Sequence, residues 1–243
     1  MKNYFYLCTA LFLILSFKVG AQERQDNAWK AIFTDYSLSS SSTLRLETHV
    51  RTRQFMAEND QYLIRPSISY KVGKYSAMAA GYTFLSTNTP VHRTLENNLW
   101  QQFNFSIPVK RSSYFGWIRL EQRWQTKNDV ENYSARIRFR TGFQFPLTQV
   151  EQSFAPRLVV FNEVFLKINN GFPYEFNQNW TFFGLQNTFG DHLRLLSGFQ
   201  RITVDKGASF LHKNVLQHTS IENALAHRIS LKLASLEMSE QYL

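Results

Sequence analysis

Residues 116 to 125 read Gly-Trp-Ile-Arg-Leu-Glu-Gln-Arg-Trp-Gln, and this stretch decides the fold. One parity carries Trp117, Arg119, Glu121, Arg123 and Gln125; the other carries Gly116, Ile118, Leu120, Gln122 and Trp124. A repeat of two belongs to a β-strand, because successive side chains leave opposite faces. Residues 43 to 53 do the same, with Thr43, Arg45, Glu47, His49, Arg51 and Arg53 alternating with Leu44, Leu46, Thr48, Val50 and Thr52. Residues 133 to 145 set Arg136, Arg138, Arg140 and Gln144 against Tyr133, Ile137, Phe139, Phe143 and Phe145. A lone solvated sheet has no need of arginine at three successive positions of one parity. A closed wall with lipid outside and a polar lumen accommodates it, whereas turning those three toward lipid would cost roughly 6 to 12 kcal/mol at about 2 to 4 each.

Working outward, period and breakers outline about a dozen strands. They fall at 28 to 37, 43 to 53, 61 to 72, 75 to 86, 95 to 108, 114 to 125, 133 to 145, 156 to 168, 177 to 189, 193 to 204, 214 to 222 and 227 to 236. Turn chemistry separates them at Ser39 to Ser42, Asn59-Asp60, Gly73-Lys74, Lys110 to Ser113, Gly171 with Pro173, Gly190-Asp191 and Asp205 to Gly207. Most reach the length that a tilted strand needs to cross a bilayer and exceed what soluble sheets use. The expected fold is therefore all-β: a single antiparallel transmembrane β-barrel of about 12 strands (10–12), with no second domain.

Residues 1 to 21 have the form of a signal peptide. Lys2 is followed by an apolar run from Tyr4 to Phe17, and Val19-Gly20-Ala21 resembles a small-x-small cleavage site. The expected domain is thus 22 to 243, exported to the cell outer membrane of a Gram-negative bacterium. The one cysteine, Cys8, lies in that leader, so no disulfide is expected in the remainder. Without Lys2 and Lys18 the basic residues number 27 − 2 = 25 against 18 acidic. The cations are spread through alternating strands, not gathered in a tail or helix, which argues against nucleic acid as partner. Outer-membrane lipids, a small anionic solute and, during biogenesis, the barrel-assembly machinery are the expected partners. Aromatics are 16% of residues, with 22 Phe, a surplus that suits a lipid-facing surface.

Leu99-Trp100-Gln101-Gln102, Arg119-Leu120-Glu121-Gln122-Arg123, Arg136-Ile137-Arg138-Phe139-Arg140, Asn162-Glu163-Val164-Phe165 and Phe176-Asn177-Gln178-Asn179 together resemble the outer-membrane barrel family called domain of unknown function 2490. The resemblance runs over most of the chain beyond the leader. It departs at Trp180, where the family pattern continues with Arg. It implies a β-barrel and carries over no catalytic residue.

The candidate site is a charge lattice in the lumen: Arg45, Glu47, Arg51, Glu96, Arg119, Glu121, Arg123, Arg136, Arg138, Arg140 and Glu163. Neighbouring strands lie about 4.8 Å apart, so Arg and Glu of like facing can pair across them. Such a lattice either fills a narrow lumen or selects anions, since rings of Arg and Lys are how anion pores choose. The expected activity is a non-enzymatic barrel, structural or a narrow pore, with no catalytic residue, metal or cofactor. Two other readings stay open: a lipase- or deacylase-like outer-membrane enzyme, and a soluble periplasmic lipid-binding barrel that would bury its apolar parity inward. For the enzyme, His218, Ser220 and Glu222 share one parity, but side chains two apart on a strand sit nearly 7 Å from each other, too far for direct proton transfer. They read better as lumen polarity. His49, His92, His192, His212 and His227 show no metal-ligand spacing and read as loop or lumen residues. Trp29, Trp117, Trp124 and Trp180, with Tyr62, Tyr75, Tyr114 and Tyr133, fall near strand ends and read as interfacial belts. Trp100 and Trp117, on polar parities, leave open a sugar-stacking site in the lumen.

Overall fold

A computed structural model of the chain describes residues 23–89, 92–148, 156–168, 175–190 and 193–224. Eleven strands form: β1 Glu23–Ser37, β2 Ser42–Arg53, β3 Glu58–Gly73, β4 Ser76–Asn88, β5 Arg93–Val109, β6 Ser112–Lys127, β7 Val130–Pro146, β8 Arg157–Ile168, β9 Glu175–Phe189, β10 Leu193–Asp205 and β11 Phe210–Ala224. Each overlaps one expected strand. The expected strand at 227 to 236 lies outside the described residues.

The strands close into a barrel in which each pairs with its chain neighbours and β1 pairs with β11. All pairs are antiparallel except that last one, which runs parallel from Glu23↔Leu211 to Tyr36↔Ala224. This corrects the expectation of a wholly antiparallel wall, while eleven described strands fall within the expected 10–12. The reason is arithmetic: in an up-and-down series of eleven, the first and last strands point the same way, so they can close only in parallel. Across this seam Asn214 Nδ2 donates to Asp26 Oδ1 at 2.9 Å.

Several of the fully described connections are two-residue turns. Asn128 and Asp129 have φ of 49° and 61°, the type I′ geometry whose twist matches the flanking strands β6 and β7. The β2–β3 connection is a turn, Gln54–Met56, whose three residues all have positive φ (48°, 53° and 87°).

Dyad alternation sorts the side chains. Outside lie Leu44, Leu46, Val50, Ile64, Ile68, Leu99, Phe103, Ile118, Leu120, Phe139 and Phe143, all exposed. Inside lie Glu47, Glu96, Asn98, Arg119, Glu121, Arg136, Arg138 and Glu163, all buried. The interior itself has two faces. Strands β2 to β7 supply most of its charge. Strands β8 to β11 with β1 supply apolar groups, in one cluster of Trp29, Ile202 and Val215 and another of Val159, Phe161 and Phe182. The outer wall also carries polar groups, among them the exposed Lys30 on β1, Gln101 on β5 and Arg201 on β10, and they are densest on one strand. The outward side of β11 carries His212, Asn214, His218, Ser220 and Glu222 around the apolar Leu216, while Lys213, Gln217, Thr219 and Ile221 face the lumen.

Candidate functional site

The lattice begins with register. β6 and β7 set Glu121 opposite Arg136 but also Arg119 opposite Arg138, and β8 sets Glu163 opposite Arg140. Like charges directly opposite are unfavourable, and Arg138 resolves this by reaching away from Arg119. Its Nη1 donates to Glu121 Oε1 at 2.6 Å and its Nε to Glu163 Oε1 at 2.7 Å. Arg136 Nε donates to Glu121 Oε2 at 2.7 Å, and Arg140 Nε to Glu163 Oε2 at 2.8 Å. Arg123 forks onto Glu96 at 2.8 and 2.7 Å, with Gln125 donating to the same carboxylate at 3.0 Å. Glu121 and Glu163 are 0% exposed. Buried carboxylates survive only when every oxygen is engaged by a cation or donor, and here each one is.

A second group forms on β1 to β3. Arg45 forks onto Asp35 at 2.6 and 2.7 Å near one end of the barrel. Arg65 Nη1 donates to Glu47 Oε2 at 2.9 Å, and His49 Nε2 lies 3.6 Å from the same oxygen.

Two arginines of the candidate site stand apart from this pairing. Arg51 donates to Gln61 Oε1 at 2.9 Å and lies over the Trp29 ring, 4.0 Å from its centroid. Arg119 donates to Gln102 Oε1 at 2.5 Å and lies between Trp100, at 4.0 Å, and Trp117, at 5.0 Å. The nearest carboxylate oxygen to Arg119 is that of Glu121 at 4.0 Å, already taken by Arg138. Cation–π contacts and neutral amides hold these guanidinia in place without neutralising them.

Ten of the eleven expected site residues therefore line one cavity, along β2, β5, β6 and β7, with Arg45 also paired to Asp35; the eleventh, Glu163 of β8, pairs with Arg138 and Arg140 within the wall. Sequence reasoning omitted Asp35, Arg65, Gln61 and Gln102 and misread the tryptophans. Trp29, Trp117 and Trp180 are not interfacial belts: all three line the lumen, with Trp100 buried beside them, whereas Trp124 faces outward against Tyr133 at 5.4 Å, and Tyr62, Tyr75 and Tyr133 of the expected belt are exposed. The physical reason is that each indole there meets a guanidinium or another ring, as Trp29 does with Trp180 at 5.4 Å. The signal was present in the polar parity of Trp100 and Trp117. Arg65 carried little signal, because its inward parity also holds Leu63, Ser67 and Ser69.

His218, Ser220 and Glu222 are not lumen residues either. They face outward, with His218 Nδ1 2.6 Å from Ser197 Oγ on β10 and Ser220 Oγ 3.5 Å from the Ala31 carbonyl on β1. His212 is also on the outer side, lining a surface pocket with Arg201 and Asn214, whereas His49 is in the lumen. His192 and His227 lie outside the described residues. Among the described residues there is no group of three His, Cys, Asp or Glu side chains that could hold a metal ion.

Fold and site together define a closed β-barrel with an arginine–carboxylate interior and a mainly apolar exterior. The chain belongs to the family described as protein of unknown function (DUF2490), which matches residues 26–209, a span that contains the whole lattice. The serine acetyltransferase N-terminal family matches residues 206–243, of which the described part forms the β10–β11 connection and β11. No curated protein and no solved structure matches the chain.

Proposed function

We propose that the protein is an exported, membrane-spanning barrel of the outer membrane that performs no chemistry and offers small anionic solutes a narrow, cation-rich passage. The observation that carries this is the sense of the alternation: charge inside, aliphatic and aromatic side chains outside, the reverse of a soluble carrier barrel. An extensive exposed apolar surface of this kind is what lipid contact requires and what a water-soluble chain avoids. The polar outer side of β11 departs from the pattern, as do the exposed Lys30 on β1 and Arg201 on β10 beside it. Inside, a cavity of about 420 Å³ runs between the charged and apolar faces. That volume suits a small molecule. It is lined by Arg45, Arg51, Arg65, Arg119, Arg123, Arg136, Arg138, Arg140 and Lys213 against Glu47, Glu96 and Glu121, so the field within it is positive.

Two measurements test the reading. The protein should fractionate with outer membranes and migrate heat-modifiably in detergent gels; recovery as a detergent-free periplasmic protein would sink the membrane assignment. In planar bilayers the purified protein should pass chloride in preference to potassium, and a cation preference or silence at all voltages would eliminate the passage. A lipid-acting hydrolase is the second reading, favoured by the outward Ser197–His218 pair at 2.6 Å, a nucleophile within reach of a base. It requires a lipase or deacylase activity that Ser197→Ala abolishes.

A further inference from the structure

Counting oxygens against guanidinia in the lumen leaves a remainder. Glu121 is shared by Arg136 and Arg138, Glu163 by Arg138 and Arg140, Glu96 is forked by Arg123, and Glu47 is held by Arg65. Arg51 and Arg119 have no carboxylate of their own among the described residues. Both are buried, at 8% and 5% exposure. Arg51 Nε and Arg119 Nη1 have no hydrogen-bond partner among the described residues, and the same holds for Trp29 Nε1 beside Arg51.

These groups converge. Arg65 and Arg138 lie within electrostatic reach of both Arg51 and Arg119, and the carboxylates that act on the latter two, Glu47 on both, Asp60 on Arg51 and Glu121 on Arg119, are each held by other cations. Arg138 shares Trp180 with Arg51, at 5.7 and 6.0 Å, and shares Trp117 with Arg119, at 5.1 and 5.0 Å. Arg65 Nε and Trp100 Nε1 both donate to Thr83 Oγ1, at 2.9 and 3.1 Å, which brings Arg65 beside the ring that Arg119 covers. All four guanidinia line the same cavity. A desolvated cation without a counter-charge costs far more than any stacking contact returns. A planar guanidinium pinned on an indole in a cavity wall is a preorganised fork for a carboxylate or phosphate.

We propose that the lumen holds a built oxyanion site, in which a carboxylate or phosphate group sits between Arg51 and Arg119 and completes the charge balance that the protein's own carboxylates leave open. This rests on the reading of the barrel as an anion passage and narrows it to one binding position and one ligand chemistry.

The test uses the full-length protein in detergent micelles, with urea unfolding followed by tryptophan fluorescence. Inorganic phosphate and acetate are titrated separately at constant ionic strength, with chloride making up the balance. A ligand that binds only the folded state raises the unfolding midpoint saturably. At least one of the two oxyanions should do so, and which one does identifies the ligand group as phosphate or carboxylate. Arg119→Gln and Arg51→Gln should each weaken apparent affinity by about ten-fold or more, as loss of a charged hydrogen-bonding partner does. Arg201→Gln, which removes a cation from the outer surface of β10 and not from the lumen, should leave it within about two-fold. If Arg119→Gln fails to fold, Arg119→Lys keeps the charge without the fork and should show an intermediate loss. The proposal is overturned if neither oxyanion shifts the wild-type midpoint beyond chloride, or if Arg201→Gln weakens the shift as much as Arg119→Gln. Anion-selective conductance without a saturable shift would leave the passage standing and remove the site. A saturable shift in a protein silent in bilayers would do the opposite.

Discussion

Glu163→Gln is the sharpest perturbation of the interior. Glu163 is 0% exposed, and its two oxygens receive Arg138 Nε at 2.7 Å and Arg140 Nε at 2.8 Å. Glutamine keeps the shape but presents one oxygen and one NH₂ group, so one guanidinium must face a donor. Arg138 retains Glu121 at 2.6 Å, whereas Arg140 has no other carboxylate within ion-pair distance among the described residues. One buried pair is therefore broken outright and another weakened. Removing one partner of a buried pair costs about 3–5 kcal/mol, because the charge left behind is neither solvated nor matched. Glu58→Gln is the internal control: its contact with Arg53 is 3.6 Å and its side chain is 44% exposed, so about 0–1 kcal/mol is expected. Urea unfolding in detergent micelles, followed by tryptophan fluorescence with linear extrapolation, measures both. In an Arg140→Met background the cost of Glu163→Gln should fall by about 0.5–3 kcal/mol, the coupling expected of residues in contact. A Glu163→Gln cost no larger than that of Glu58→Gln would refute the claim that a desolvated lattice holds the interior.

Other expectations follow from packing and facing. Ala at Gly81 would bring a methyl within 2.7 Å of the Pro66 carbonyl and into the Trp100 ring, so Gly81→Ala should cost about 1–3 kcal/mol and alter Trp100 emission. Ile202, 2% exposed against Trp29 and Val215, should cost about 2–5 kcal/mol on truncation to Ala in the same urea assay. A fluorophore on a single cysteine at Leu99, 48% exposed, should be quenched by a lipid-soluble quencher, and one at Asn98, 3% exposed, should not; the reverse would invert the facing of β5. Phe55 is at φ 53° and largely exposed. Phe55→Gly should therefore stabilise by roughly 1 kcal/mol, by relief of a left-handed backbone, and a lowered midpoint would contradict that strain.

Period-two alternation is a local property, and residues 43 to 53, 116 to 125 and 133 to 145 announced both their strands and which side chains share a face. Long runs bounded by turn residues such as Gly73-Lys74 and Asp205 to Gly207 likewise made eleven strand positions legible, because hairpin geometry is set by a few residues on either side of the turn. Pairing across the wall was not legible at that level. Arg119 and Arg123 occupy the same parity of one strand, yet Arg123 forks onto Glu96 while Arg119 is stacked on Trp100 and Trp117 without a carboxylate of its own. Register and the stagger of neighbouring strands decide between those fates, and they depend on the whole circuit of the barrel. The same holds for Trp29 and Trp180, brought to 5.4 Å although 151 positions apart in the chain (180 − 29). It holds also for β11, whose mixed polarity fits either facing and whose orientation is settled by parallel pairing with β1. Residue chemistry along the chain determined that charge would alternate with apolar groups; closure of the wall determined which charges meet, and which two arginines are left over.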